Sequence, residues 1–130
     1  MNEEFSNLDA FFAGHRLPRR KSCFLDLLNT MLVEREITRG ELANRSLVSE
    51  GYLYEILTGR KKPSRNKLLC LCVGFGLSLE EAQELLHKGG YEKLFSKRRR
   101  DAILCQGIEE GWSVIRINEK LFDEGLKPLC

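Results

Sequence analysis

After Lys21, apolar residues recur every three or four positions and nowhere alternate with polar ones as a half-buried strand requires. That spacing commits the chain to helices, and cap residues divide them. Ser22 predicts the start of a helix with Phe24, Leu25, Leu28, Met31 and Leu32 on one face. Thr38, with Glu41 three residues later, gives the second helix a capping box, with Leu42 and Ala43 inward. Ser49 opens a short third helix whose Leu53, Ile56 and Leu57 point to the core, and Gly59 ends it. A fourth is expected from about Asn66 to Phe75, stopped by Gly76, and a fifth from Ser78 through Leu86, stopped by Gly89 and Gly90. A sixth spans roughly Arg98–Glu110 before Gly111, and the seventh runs from Ser113 to near Gly125. The expected fold class is all-α: a five-helix domain over residues 21–90, extended by a helical hairpin over 91–130. Residues 1–20 read as an arm with one short helix across Leu8–Ala13.

The last four helices carry a repeat at an offset of 35 residues. Leu68, Leu69 and Cys70 return as Ile103, Leu104 and Cys105, and Gly76, Ser78 and Leu79 return as Gly111, Ser113 and Val114. Ala82, Glu84, Leu86 and Gly90 fall on Ile117, Glu119, Leu121 and Gly125. Two stacked helical hairpins sharing a buried face are expected from such a period. Trp112 is expected as a core anchor. The stripe Ile103, Val114, Ile117, Leu121 and Phe122 either closes the fold or forms a seam between copies.

Charge is distributed unevenly on a chain whose net charge is only +2. Three runs hold 13 of the 21 basic residues: Arg16, Arg19, Arg20 and Lys21; Arg60, Lys61, Lys62, Arg65 and Lys67; Lys97, Arg98, Arg99 and Arg100. No acid interrupts any of them, so basic faces could be turned toward a polyanion. The third run sits at a helix start, where the dipole disfavours cations. Either an anionic partner or a solvated turn screened by Asp101 accounts for it.

Composition closes off several classes. With 42% apolar and 31% charged residues the chain is not a disordered one. Leu68 to Leu79, the longest uncharged stretch, is too short for a membrane span of about 20 residues, and Met1-Asn2-Glu3-Glu4 is acidic where a secretory signal is basic. A cytoplasmic protein without membrane contact is expected. Cys23, Cys70, Cys72, Cys105 and Cys130 are odd in number and lack a Cys-x-x-Cys spacing, which suits reduced thiols packed as small apolar groups. No enzyme, metal or cofactor is expected. His15 and His87 lack acids at ligand spacing, and Gly74-Phe75-Gly76 misses the third glycine of a dinucleotide fingerprint.

Leu42-Ala43, Val48-Ser49, Leu53 and Ile56 place a small residue where two short helices cross and apolar plugs in the crevice between them. With the closing Gly59-Arg60-Lys61-Lys62-Pro63-Ser64, this stretch resembles the helix-turn-helix of the xenobiotic-response-element type, the family of phage repressors and bacterial regulators. The resemblance covers about residues 22–88, and the loop matches the family's Gly-basic-basic-x-Pro pattern. It implies sequence-specific binding of double-stranded DNA by a transcriptional regulator, a repressor of bacterial or phage origin. It also implies that Ser49, Glu50, Gly51, Tyr54 and Glu55 face bases in the major groove, with Arg39 nearby. Arg60, Lys61, Lys62 and Arg65, together with Arg19, Arg20 and Lys21, would meet phosphates. If the chain pairs with a copy of itself, the last hairpin is the expected seam.

Two departures stand against the pattern. Leu47 occupies the turn position where the family usually has glycine. From Ser49 to Leu57 there is no cation, while Glu50 and Glu55 are acidic. Glutamate accepts a hydrogen bond from cytosine N4, so such a helix adds specificity rather than affinity. The alternative is a protein-binding adaptor or inhibitor that uses the exposed Tyr52, Tyr54 and the two glutamates on the same scaffold.

Overall fold

A computed structural model describes residues 19–130, with side chains from Cys23 onward. The described residues form seven helices and no strand: α1 (Arg19–Glu34), α2 (Arg39–Ser46), α3 (Glu50–Leu57), α4 (Arg65–Phe75), α5 (Leu79–Lys88), α6 (Arg99–Glu110) and α7 (Val114–Asp123). The fold class is all-α, as the spacing predicts. The expected helix across Leu8–Ala13 lies outside the described residues. The largest boundary shift is at α1, which begins at Arg19 rather than at a Ser22 cap, so Arg19 to Lys21 belong to the helix; α5 also runs on to Lys88 rather than ending at Leu86. Long unbranched Arg and Lys side chains lose little rotamer freedom in a helix, so the first turn extends back through them.

The core forms around α4, where Leu68, Leu69, Cys70, Leu71 and Cys72 are all buried. Leu28 of α1, Leu42 of α2, Leu53 and Ile56 of α3, and Leu85 and Leu86 of α5 meet it there, each almost fully removed from water. Burying a leucine side chain contributes roughly 1.5–3 kcal/mol, so this cluster fixes how the short helices sit. α2 crosses α4 closely because Gly74 has no side chain; a Cβ there would overlap the Ser46 hydroxyl. The crossing buries Ser46 Oγ with no hydrogen-bond partner among the described residues.

The 35-residue repeat is written in hydrogen bonds as well as in letters. Gly76 (φ 72°) and Gly111 (φ 73°) both turn the chain left-handed after a helix, a conformation glycine adopts without Cβ strain. The next amide then closes the motif: Leu77 donates to the Cys72 carbonyl at 3.1 Å and Trp112 to the Gly107 carbonyl at 2.8 Å. Ser78 and Ser113 cap the second helix of each hairpin. Beyond each hairpin the chain folds back, and a side-chain amide receives it: Gln83 Oε1 accepts from Leu94 N–H at 2.6 Å, Asn118 Oδ1 from Leu129 N–H at 2.7 Å. Leu94 and Leu129 are both buried plugs. An arginine fastens each returning strand of chain. Arg65 donates to the carbonyls of Glu92 (3.0 Å) and Lys93 (3.3 Å), and Arg100 to those of Lys127 (2.8 Å) and Pro128 (3.1 Å).

The second hairpin is tied to the first by a buried acid. Asp101 accepts the Phe95 N–H at 2.9 Å and pairs with Arg65 at 3.6 Å, while only 4% exposed. Arg100 also donates to Asn66 Oδ1 at 3.2 Å. Of the apolar stripe, Val114, Ile117 and Leu121 close the fold, whereas Phe122 points outward. Trp112 is half-buried against the core beneath the Arg116 guanidinium, 4.4 Å from its ring. Cys70 and Cys72 are buried, and the loss of water pushes both thiols up to about 12, so they act as apolar filler.

Candidate nucleic-acid interface

α2 and α3 are set by two caps and one strained turn. Thr38 Oγ1 accepts from the Glu41 N–H at 3.1 Å while Glu41 accepts from the Thr38 N–H at 3.0 Å, the capping box expected from the letters. The Thr38 N–H holds the Glu41 carboxyl below its ordinary value. Leu47 ends α2 in the left-handed region (φ 58°, ψ 40°), a conformation that favours glycine and that here carries a leucine side chain. The conformation costs a leucine about 1 kcal/mol relative to glycine. Val48 N–H then reaches the Ala43 carbonyl at 3.0 Å, and Ser49 Oγ caps α3 by accepting from Tyr52 N–H at 3.1 Å. Among the described residues the Ser49 hydroxyl donates to no acceptor.

α3 buries Leu53, Ile56 and Leu57 and exposes Glu50, Gly51 and Tyr54 on the opposite side. Its far end is tied down: Asn29 Nδ2 donates to the Leu57 carbonyl at 3.2 Å, and Gly59 turns at φ 82° against Leu25. The basic loop follows with its backbone held at both ends. The Glu55 carbonyl accepts the N–H groups of Arg60 (2.8 Å) and Lys61 (3.1 Å), and the Tyr91 hydroxyl donates to the Pro63 carbonyl. The side chains of Arg60, Lys61 and Lys62 remain exposed. A groove floored by Phe24 and Leu25 runs beside them toward Lys88.

The cations absent from α3 itself arrive from its neighbours. Arg39, at the start of α2, lies over the Tyr54 ring at 5.1 Å, and Arg60 lies over the same ring at 5.9 Å. Lys61 lies 5.8 Å from the Tyr52 ring and pairs with Glu55 at 3.4 Å. Glu55 is thereby screened and half-buried rather than fully presented. The Glu50 carboxylate lies against Gly40, near the positive end of α2. Tyr52 is also half-buried, which corrects the reading of both tyrosines as exposed; only Tyr54, 41% exposed, is well presented.

Arg39, Ser49, Glu50, Gly51 and Tyr54 therefore gather on one accessible edge, with Arg60, Lys61 and Lys62 beside it. Lys62 leans toward the Tyr91 ring at 4.8 Å, near the end of α5. Arg65 departs from the group. Its guanidinium is turned inward to the Glu92 and Lys93 carbonyls and Asp101, so the structure gives it a fastening role where phosphate contact is expected from the resemblance. Arg19, Arg20 and Lys21 open α1, and their side chains lie outside the described residues.

Residues 24–85 match the family model for a helix-turn-helix domain. That segment is a helix-turn-helix domain. Among curated proteins and among solved structures, nothing matches the chain. The helix-turn-helix proper is α2 and α3 with Leu47 in the turn, and α1, α4 and α5 brace it. The match ends within α5, so the hairpin α6–α7 lies beyond the matched segment. Among the described residues no helix is long and apolar enough to cross a membrane, and no group of His, Cys, Asp and Glu could hold a metal ion.

Proposed function

We propose that the protein binds double-stranded DNA sequence-specifically as a transcriptional regulator of the repressor type, and that it is not an enzyme. The observation that carries this reading is the Tyr54 ring flanked by Arg39 and Arg60 on the exposed edge of α3. That cluster places positive charge at both borders of a helix whose own sequence is acidic. Ser49, Glu50, Gly51 and Tyr54 are then the groups available to base edges. Arg60, Lys61 and Lys62 supply phosphate contacts, which give affinity without sequence information. Repression needs no more than occupancy of a site that other proteins must use.

Glu50 favours a second reading, a protein partner bound on the same edge, because a carboxylate near a phosphate backbone is repelled. Selection from random duplex DNA with the full chain separates the two. DNA binding predicts recovery of one motif, and Glu50→Gln is expected to change preference at a single position within it. If the recovered sequences share no motif and the folded protein retains none above background, the DNA reading fails and the protein-partner reading takes its place.

A further inference from the structure

The repeat supplies an internal control for the surface of α7. Positions 80, 83, 84 and 87 of the first hairpin correspond to 115, 118, 119 and 122 of the second, a helical face at i, i+3, i+4 and i+7. In the first hairpin this face is Glu80, Gln83, Glu84 and His87, polar throughout. In the second it is Ile115, Asn118, Glu119 and Phe122. The hairpins share caps, turns and tail bonds, so packing of the unit does not require apolar groups there. Yet Ile115 is 56% and Phe122 78% exposed, and together they line an open groove with Asn118, Glu119, Asp123 and Pro128. Two large apolar side chains together on a face that the sister unit keeps polar mark that face as a candidate contact surface.

We propose that α7 is a self-association surface, on which two copies of this chain pair α7 against α7, antiparallel, about a two-fold axis between Asn118 and Glu119. The face is complementary to itself in that arrangement and in no parallel one. Residue numbers across the axis sum to 237, so Ile115 meets the partner's Phe122, and Asn118 meets the partner's Glu119. Asn118 spends its carbonyl on Leu129 N–H and one amide hydrogen on Cys130 Sγ, which leaves its second amide hydrogen for a carboxylate. The dipoles agree as well. The first turn of α7 holds no acid, while Asp123 ends the helix at its negative pole, where a carboxylate is unfavourable. Antiparallel pairing moves each Asp123 beside the positive end of the partner's helix. A contact of one helix face per copy is small, so the dimer is expected to be weak and concentration-dependent. It does not depend on DNA binding and would stand if that reading failed.

Sedimentation velocity of the full chain, without DNA, reads this directly. From a 15.0 kDa monomer at low concentration, the weight-average mass is expected to approach twice that value by about 100 μM. Phe122→Glu is expected to weaken association at least about tenfold, as removal of an interface anchor does. Its thermal unfolding should match that of a parent chain diluted to monomer, because the side chain is exposed. A second measurement fixes the geometry independently. With Cys23→Ser and Cys130→Ser in the background, Glu119→Cys should yield a disulfide-linked dimer on mild oxidation. Glu84→Cys, the matching position in the first hairpin, should not. A chain that stays monomeric throughout, a dimer indifferent to Phe122→Glu, or equal cross-linking at 84 and 119 would each overturn the proposal.

Discussion

The loop Arg60–Lys62 and the run Lys97–Arg100 are both uninterrupted clusters of cations, and as letters they are hard to rank. Their surroundings separate them. The loop's backbone is anchored by Glu55 and Tyr91, which leaves its side chains outside, two of them beside the aromatic rings of α3. From Arg98 onward the later run is spent on the fold: Arg98 pairs with Glu92 at 3.3 Å, Arg99 with Glu124 at 3.1 Å, and Arg100 holds the returning chain through Lys127 and Pro128. Burial lowers the affinity of Arg100 for its proton, whereas the loop's side chains remain exposed. Basic charge is therefore left available to a partner where the backbone is satisfied without it. Where a guanidinium takes over the chain's own carbonyls, it has become structure.

Substitutions along the two regions should divide the same way. The largest effect is expected at Arg65, the loop-proximal arginine that behaves like the later run. Arg65→Ala strands Asp101 in a buried site and should cost about 2–3 kcal/mol in denaturant unfolding, towards the lower end for a buried pair because Arg65 is partly exposed. DNA affinity of the protein that remains folded should be unchanged. An Arg65→Ala chain with full stability and weakened DNA binding would return this residue to the phosphate-contacting set.

Smaller, and in the opposite sense, is Gly51→Ala. Nothing lies within 4 Å of a Cβ built there, so the fold has room for alanine. Alanine should stabilise α3 by about 0.5 kcal/mol through its better helix propensity. Its methyl group would also stand on the edge offered to bases, so specific binding should weaken while melting temperature rises. Stabilisation with undiminished binding would remove Gly51 from the readout. The smallest effect belongs to Lys97, exposed and bonded to nothing among the described residues. Lys97→Ala should change stability by less than about 0.5 kcal/mol and leave DNA affinity where it was.

How far letters alone reach is clear from individual residues. Thr38, Ser49, Ser78 and Ser113 cap helices as their positions predict, since a cap bonds only three residues ahead. Leu47 was placed in the turn by the family resemblance, not by any capping group of its own. Arg65 and Arg100 were not assignable, because their acceptor carbonyls lie 27 and 28 residues away and come near only when the chain folds back. The cationic border of α3 escapes a reading of α3 by itself: Arg39 and Arg60 belong to different segments and converge on Tyr54 only in three dimensions. Ile115 was hidden because Val114, Ile117 and Leu121 already satisfy the buried face of α7, and nothing local marks the opposite face as apolar by need. The repeat did hold that signal, in the contrast of Glu80 and His87 with Ile115 and Phe122.

The salt dependence of duplex binding probes most directly whether the exposed loop, and not the later run, meets DNA. Fluorescence anisotropy with one duplex, titrated at several salt concentrations, gives the log–log slope for the parent chain, Arg60→Ala and Lys97→Ala. A phosphate contact contributes about 0.9 to that slope, so Arg60→Ala should flatten it by about that amount and Lys97→Ala should leave it intact. An unchanged slope for Arg60→Ala, or an equal flattening for Lys97→Ala, would contradict the division of the two clusters.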